Sequence, residues 1–326
     1  MLQDRFHRKH DYLRISLTDN CNFRCTYCMP NEIMDSLPNH RLMQPDEIIS
    51  ISKTFVELGI TKIRLTGGEP LIRKEFSYII SHLSKLPVKL TLTTNGVLLH
   101  EHLELFKSVG INSLNISLDT LIPEKFFSLT KRNEFDRVWN NILLFLDNKF
   151  SVKVNVVVMK TINEDEIINF VNLTKNKPLH IRFIEYMPFD KNGWDKEKVV
   201  LSSEILVKIK ETFEVIKLED AKHDTAKKYK IEGFSGTFAF ITTMSQPFCE
   251  DCNRIRITAD GKMKNCLFGK DELDILGAYR KNENIETLIQ KSLQLKHEKM
   301  GGQFDQNHME TDPTLIENRS MLKIGG

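Results

Sequence analysis

The chain has 326 residues and is close to electrically neutral, with 46 Lys and Arg against 44 Asp and Glu and a formal net charge of +2. This balance leaves no general basic surface, so we expect no nucleic-acid partner, and any polyanion needs a local cluster of cations. The length allows one large α/β domain with a smaller appendage. The hydrophobic content of 40% and the charged content of 28% are typical of a soluble globular protein.

The N-terminal sequence MLQDRFHRKHDY lacks the apolar core of a signal peptide, and no apolar run approaches the length needed to cross a membrane. The 6 cysteines then belong to a reducing compartment, where closely spaced cysteines bind metal more often than they form disulfides. We therefore predict a cytoplasmic protein with no membrane partner.

Strand-like runs alternate with helix-like runs through the first two-thirds of the chain. The predicted strands cover residues 12–17, 61–66, 88–93, 112–118, 152–158 and 179–184, and the predicted helices cover residues 45–58, 75–85, 98–108, 134–147, 164–174 and 202–213. Repeated β-α units indicate a parallel sheet. The pattern predicts an α/β fold built on an incomplete, TIM-like (βα)6 barrel.

Successive side chains point to opposite faces of a strand, and the two faces of these strands differ consistently. One face is apolar, as at Leu13, Ile15 and Leu17, and must pack on the helices. The other face is polar and is predicted to line the barrel interior, where a packed barrel would carry branched apolar residues. Its cations Arg14, Arg64, Lys153 and Arg182 would hold a triphosphate through charge-assisted hydrogen bonds.

Three cysteines, Cys21, Cys25 and Cys28, follow the first predicted strand in the segment SLTDNCNFRCTYCMP. Cysteine thiolates are the usual ligands of four-iron clusters, and three thiolates leave the fourth iron open, as an open position does in a catalytic zinc site. An open iron can chelate an amine and a carboxylate, and S-adenosylmethionine carries both. The CX3CX2C spacing resembles that of the radical S-adenosylmethionine (SAM) enzymes. A structural zinc site and unrelated buried cysteines are the alternatives.

The other three cysteines, Cys249, Cys252 and Cys266, form a second group in PFCEDCNRIRITADGKMKNCLF. Taken alone, this spacing favours a zinc ribbon in which three of the four ligands are these cysteines. Beside the first motif, it resembles the second cluster motif of the GTP 3′,8-cyclases of molybdenum cofactor biosynthesis, which pair CX3CX2C with CX2CX13C and end in Gly-Gly. This chain ends in Gly325-Gly326, and the resemblance runs from about Tyr12 to the terminus.

The resemblance implies a radical SAM partial barrel over residues 1–230 and a C-terminal domain over residues 231–326, which carries an auxiliary [4Fe–4S] cluster and the Gly-Gly tail. It also implies site residues. The expected SAM contacts are Tyr27 at the adenine, Gly68 in the turn Gly67-Gly68-Glu69-Pro70, Ser117 and Met187. The expected GTP contacts are Arg14, Arg64, Thr93, Lys153, Arg254 and Arg256. No catalytic residue is expected beyond the cluster ligands.

The implied reaction is the SAM-dependent cyclisation of GTP to 3′,8-cyclo-7,8-dihydro-GTP, with two [4Fe–4S] clusters as cofactors. The implied partners are GTP, an external electron donor and the downstream enzyme that forms the pyranopterin. Homodimer formation is left open because no motif indicates it. The 10 histidines are not grouped at the spacing of a ligand or catalytic site, and they are interpreted as surface or core residues. The Gly-Gly tail is expected to enter the active site.

Two other functions remain open at this point. One is a radical enzyme that modifies a peptide and carries an auxiliary cluster, although such domains usually contain more cysteines than the three available here. The other is a zinc-stabilised binding module without catalysis. This second hypothesis leaves the Gly-Gly-Glu-Pro turn, the polar barrel face and the two separate thiol groups unexplained.

Overall fold

The computed structural model describes residues 1–29, 36–190, 192–304 and 315–325. Six parallel strands form the centre of one sheet and pair in chain order. They are β1 (Tyr12–Ser16), β2 (Lys62–Thr66), β3 (Lys89–Thr94), β4 (Ser113–Ser117), β5 (Ser151–Val158) and β6 (His180–Glu185). The predicted α/β fold with a partial barrel is therefore confirmed.

Helices connect the central strands, as the alternating pattern predicts. They are α1 (Pro45–Glu57), α2 (Phe76–Leu83), α3 (Leu103–Ser108), α4 (Pro123–Thr130), α5 (Phe135–Asp147), α6 (Ile167–Asn176) and α7 (Ser202–Lys210). The predicted helix at 98–108 begins as a 3-10 helix, Leu99–His102, before α3. The sequence analysis did not predict α4, which starts at a proline suited to a first helical turn and ends before a left-handed Lys131.

The C-terminal third of the chain extends the sheet at both edges. Its elements are β7 (Val215–Lys217), β8 (Ala226–Ile231), β9 (Thr237–Ile241), β10 (Arg254–Ile257), β11 (Lys262–Lys264), β12 (Leu273–Asp274), α8 (Ile275–Arg280), α9 (Ile285–Gln294) and α10 (Met321–Ile324). Strand β9 lies parallel to β6, and β10 lies parallel to β1. The domain limits at 1–230 and 231–326 stay a prediction.

The apolar face of the central strands packs on the helices. Leu13, Ile63 and Leu114 are fully buried in a core that includes Phe55 of α1 and Phe145 of α5. Burying one such side chain stabilises the fold by about 1.5–3 kcal/mol. Because alternate side chains point the other way, the polar residues of the same strands face the barrel interior. Among the described residues, no helix is both long and apolar enough to cross a membrane.

Arg319 ties the last segment of the chain to the strands beside the barrel. Its guanidinium donates to both oxygens of Asp260, at 2.8 and 3.0 Å, and to both oxygens of Glu272, at 2.6 and 2.5 Å. All three side chains are largely buried, which strengthens charge-assisted pairs of this kind. Helix α10 follows directly and buries Ile324, so Arg319 fixes where the tail approaches the barrel.

We expect Arg319→Gln to lower the free energy of unfolding by about 2–3 kcal/mol, because two buried carboxylates lose a charged donor. Urea denaturation followed by circular dichroism measures the change. Lys270→Gln is the matched control, since its ion pair with Glu317 is 3.9 Å long and its side chain is 54% exposed. The control is expected to change stability by less than about 0.5 kcal/mol. Equal losses in the two variants would contradict the anchoring role of Arg319.

Candidate active site in the barrel interior

The barrel interior forms a cavity of about 930 Å³. Every site residue predicted from the sequence lines it. They are Cys21, Cys25, Cys28, Cys249, Cys252, Cys266, Tyr27, Gly68, Ser117, Met187, Arg14, Arg64, Thr93, Lys153, Arg254 and Arg256. Residues that are far apart in the sequence thus line one cavity. Their individual roles stay predictions.

The loop that carries Cys21, Cys25 and Cys28, here called the first triad, is held in place by α4. The backbone N–H groups of Arg24 and Thr26 donate to the carbonyls of Thr130 and Leu129, each at 2.9 Å. Within the loop, the N–H of Cys28 donates to the carbonyl of Cys25 at 2.9 Å. Helix α4 therefore gives this loop a fixed shape through its own terminal carbonyls, which otherwise lack partners.

The thiols of the first triad are free and share a low-dielectric environment. Burial raises the pKa of Cys21 to about 11, and the charge of Glu69 adds to the shift. Burial and the charge of Cys21 raise the pKa of Cys28 to about 12. Burial, Cys28 and Asp119 raise the pKa of Cys25 well above its usual value. Thiolates here need a compensating positive charge, which the irons of a cluster supply. The first triad therefore fits a cluster.

The Gly-Gly-Glu-Pro turn packs against the segment that leads into the first triad. The N–H of Gly68 donates to the carbonyl of Thr18 at 2.7 Å. A Cβ on Gly68 would lie 2.1 Å from the carbonyl oxygen of Asn20, and a Cβ on Gly67 would lie 2.7 Å from that of Thr18. Gly68 is also a predicted contact of S-adenosylmethionine, but no packing role was predicted for these two glycines. In the structure they also permit close approach of the chain itself.

Tyr27, Ser117 and Met187 line the cavity, and Met187 packs against the same hydrophobic cluster as Cys249 and Cys266 of the second triad. The Tyr27 hydroxyl donates to Asp119 at 2.6 Å, and Asp119 also accepts from the N–H of Val157 at 2.8 Å. Burial raises the pKa of Asp119 to about 6. No role for Asp119 was predicted from the sequence, because its partner Tyr27 is 92 residues away in sequence. It positions the Tyr27 ring.

A group of basic side chains, here called the cationic wall, lines the cavity on five strands. Its members are Arg14, Arg64, Lys153, Arg182, Arg254 and Arg256. Burial and neighbouring cations lower the pKa of Lys153 to about 8, of Arg182 to about 9 and of Arg256 to about 10. Buried like charges repel one another, and a bound polyanion would relieve that repulsion.

Individual contacts also point to an anionic ligand. The buried Nε and Nη2 atoms of Arg182 have no hydrogen-bond partner among the described residues. Arg64 donates to Thr93 Oγ1 at 3.1 Å and to the Tyr12 hydroxyl. Although burial opposes ionisation of Tyr12, the surrounding cations outweigh it and lower the pKa of the phenol to about 7. The sequence analysis missed Tyr12, although strand alternation puts it on the face of Arg14.

Cys249, Cys252 and Cys266, here called the second triad, also line the cavity as free thiols. The N–H of Cys252 donates to the carbonyl of Cys249 at 3.2 Å, and the N–H of Met300 donates to Cys249 Sγ at 3.4 Å. Burial raises the pKa of Cys252, but the charges of Lys296 and Arg254 outweigh it, and the net pKa is lowered.

Neither triad is arranged to hold a single metal ion. Among the described residues, no three Cys, His, Asp or Glu side chains are grouped so that they could hold one metal ion. That both triads are cluster ligands therefore stays a prediction, supported by their spacing, their burial and their place on one cavity.

The C-terminal tail reaches the cationic wall. The carbonyl oxygen of Gly325 accepts a hydrogen bond from Arg256 Nη1 at 3.0 Å. Gly325 has a φ of +85°, and a Cβ there would lie 2.7 Å from Ser16 Cβ and 2.8 Å from Thr66 Oγ1. Only glycine combines this backbone conformation with so little space. Gly326, the other half of the predicted Gly-Gly tail, lies outside the described residues.

Two family models match the chain in succession. A model of the radical SAM superfamily matches residues 15–174, and a model described as Molybdenum Cofactor Synthesis C matches residues 179–301. The barrel and its first triad thus define a radical SAM enzyme, a class that uses S-adenosylmethionine and a [4Fe–4S] cluster.

Curated relatives narrow the class to one family. The Arabidopsis thaliana protein named GTP 3′,8-cyclase, mitochondrial, is 43% identical to this chain and is aligned over 100% of the chain and 84% of its own length. The Clostridium perfringens GTP 3′,8-cyclase is 40% identical over 100% of both proteins. The chain belongs to the GTP 3′,8-cyclase family, as the cysteine motifs predict. It spans only 51% of a longer human relative, molybdenum cofactor biosynthesis protein 1, at 43% identity.

A solved structure supports the fold. Streptococcus suis SuiB bound to S-adenosylmethionine matches with a TM-score of 0.60 over 96% of this chain and 73% of SuiB. At 14% sequence identity, this likeness concerns the fold alone.

We expect Gly68→Ala to destabilise the protein by about 1–3 kcal/mol, because the new methyl group meets backbone rather than a movable side chain. The variant should also bind less iron at the first triad after anaerobic reconstitution, since the segment before Cys21 must shift. Gly269→Ala is the control, because its Cβ meets no atom closer than 3.4 Å. Wild-type stability and iron content in Gly68→Ala would show that the turn tolerates a side chain.

Proposed function

We propose that this chain converts GTP to (8S)-3′,8-cyclo-7,8-dihydroguanosine 5′-triphosphate in the first step of molybdenum cofactor biosynthesis. The observation that carries the proposal is the cationic wall, which shares one enclosed cavity with two thiol triads. Such a cavity suits a nucleoside triphosphate, because guanidinium and ammonium groups bind phosphate oxygens strongly. The relatives from Arabidopsis thaliana and Clostridium perfringens bear the name of this activity.

The cysteines divide between two cofactor sites in this proposal. The first triad would hold a [4Fe–4S] cluster with one open iron, and Tyr27, Gly68, Ser117 and Met187 would contact S-adenosylmethionine. The second triad would hold a further [4Fe–4S] cluster beside Arg254 and Arg256. When bound, these groups supply the one-electron radical chemistry that removes a hydrogen atom from the ribose. The protein supplies orientation and an enclosed space.

The side chains of the cavity would hold GTP by its charged end. Arg14, Arg64 and Lys153 would bind the triphosphate, and Arg64 is already oriented by its bonds to Thr93 and Tyr12. Neutralising these buried cations is the source of affinity. Fixing the phosphates limits where the ribose can lie, so the reacting carbon is held in one place.

The tail would complete the site. Gly325 accepts from Arg256, so the tail and the substrate share one guanidinium. We infer that the tail orients Arg256 and narrows the space left for the nucleotide.

The remaining partners follow from the reaction. An external one-electron donor is needed to start the radical chemistry, and a downstream enzyme that forms the pyranopterin would take the product. We propose a cytoplasmic location and residues 231–326 as the domain that carries the second cluster, and homodimer formation stays open.

Serine substitutions in the two triads are expected to cause two different losses of activity. Cys25→Ser should abolish cleavage of S-adenosylmethionine, because radical generation depends on the first triad. Cys252→Ser should keep some cleavage but lose the cyclised product, because the second triad would place the substrate. The measurement is anaerobic incubation with GTP, S-adenosylmethionine and dithionite, with 5′-deoxyadenosine and cyclised GTP quantified in each variant.

The two cysteine variants act as controls for each other. Deoxyadenosine formation in Cys25→Ser equal to that of the wild type would rule out the assignment of the first triad. Metal analysis of the wild type adds an independent check, since two four-iron clusters require about eight irons per chain. Stoichiometric zinc would favour a non-catalytic binding module.

Alanine at Arg64 or Lys153 is expected to weaken GTP binding about ten- to a hundredfold, because each charge-assisted hydrogen bond contributes about 1.5–3 kcal/mol. Guanosine, which lacks phosphates, should bind far more weakly than GTP and should respond little to either substitution. Isothermal titration calorimetry under anaerobic conditions measures both ligands. Lys53→Ala is the control, since that side chain is 67% exposed on α1. Unchanged GTP affinity with lowered thermal stability would make the cations structural.

A further inference from the structure

Lys296, just after α9, connects the two segments that supply the second triad. It is buried, with 2% of its surface exposed. Its ammonium donates to the carbonyl of Arg254 at 3.2 Å and to the carbonyl of Asn265. It also lies 3.7 Å from Cys252 Sγ. Arg254 follows Cys252 closely and Asn265 directly precedes Cys266, so one side chain braces both segments.

None of the acceptors of this ammonium is a carboxylate. Two of them are neutral carbonyls, and the third is a thiol that becomes anionic when it binds a metal. Burying an ammonium without a counter-charge is costly. The arrangement therefore suits an anionic partner at the second triad, and a cluster with thiolate ligands is such a partner.

Other described groups around the second triad are also basic. The Arg8 guanidinium donates to the carbonyl of Cys249 at 2.9 Å and to the carbonyl of Glu298 at 2.7 Å. Arg8 also pairs with the buried Asp4, whose carboxylate accepts a hydrogen bond from His10 Nε2 at 3.0 Å. At the first triad, Glu69 and Asp119 contribute negative charge, although the Arg24 guanidinium also donates to the carbonyl of Cys21 at 2.6 Å. Carboxyl groups and Arg24 therefore act on the first triad, whereas Lys296 and the Arg8–Asp4 pair lie beside the second.

We propose that Lys296 is a positioning residue that holds the Cys252 and Cys266 segments together and raises the reduction potential of the cluster bound there. The inference rests on the proposed second cluster. Reduction adds one electron, converting [4Fe–4S]2+ to [4Fe–4S]+, and a nearby positive charge stabilises the more negative form. Net charge and hydrogen bonds to sulfur are among the factors that set such potentials.

The test is a dithionite titration of the reconstituted full-length protein, monitored by electron paramagnetic resonance. The signal that changes on addition of S-adenosylmethionine belongs to the first cluster and serves as an internal reference. Lys296→Met and Lys296→Gln remove the charge, and Gln keeps a hydrogen-bond donor. We expect the potential of the second cluster to become more negative in both variants while that of the first is unchanged. Lys296→Arg should stay close to the wild type.

Lys291→Met is the matched control, because Lys291 is an exposed lysine of α9. A fully loaded second cluster with an unchanged potential in Lys296→Gln would overturn the inference. If Lys296→Met and Lys296→Gln lose the second cluster while Lys296→Arg retains it, the inference is supported, because Lys296 then holds the two cysteine segments together. Loss in Arg as well would overturn it. If the wild type itself binds about four irons per chain, the proposed second cluster fails, which is a separate result.

Discussion

The main constraint on this structure is the repulsion among its inward-facing cations. Strand alternation places these cations in one cavity. Arg14, Arg64, Lys153 and Arg182 each follow or precede an apolar residue that packs on the helices. The free energy gained by burying the apolar face offsets the free energy lost by confining like charges on the other face. The fold thus holds its cations in a state that is unfavourable without an anion, and affinity for a polyanion follows from this arrangement.

The two thiol triads line the same cavity, yet their surroundings differ. Carboxyl groups of Glu69 and Asp119 act on the first triad, whereas Lys296 and Arg254 act on the second. Under the proposed function, this difference would suit the two sets of three cysteines to different purposes in one reaction. Under the proposed function, one triad belongs to radical formation and the other to placement of the substrate, and the tail contributes to the same space through Gly325.

Strand positions, inward cations and cysteine motifs could be predicted because each follows from neighbouring residues. Alternation is a local property, and the spacing within each triad is short. The features that were missed depend on contacts between distant residues. Helix α4 matters because its carbonyls meet Arg24 and Thr26, and Lys296 matters because it bridges two loops. The tight fit of Gly68 against Asn20 has the same origin. No local pattern in the sequence marks such pairs.

The pairing of β1 with β10 bears on how the chain is made. Tyr12 lies beside Arg254 in this parallel pair. One edge of β1 therefore stays unpaired until most of the polypeptide has been synthesised. An unpaired edge is prone to wrong association, and contacts of such long sequence separation form slowly. The nascent chain therefore carries this unpaired edge, next to the loop of Cys21, Cys25 and Cys28, until the segment of Arg254 has been synthesised.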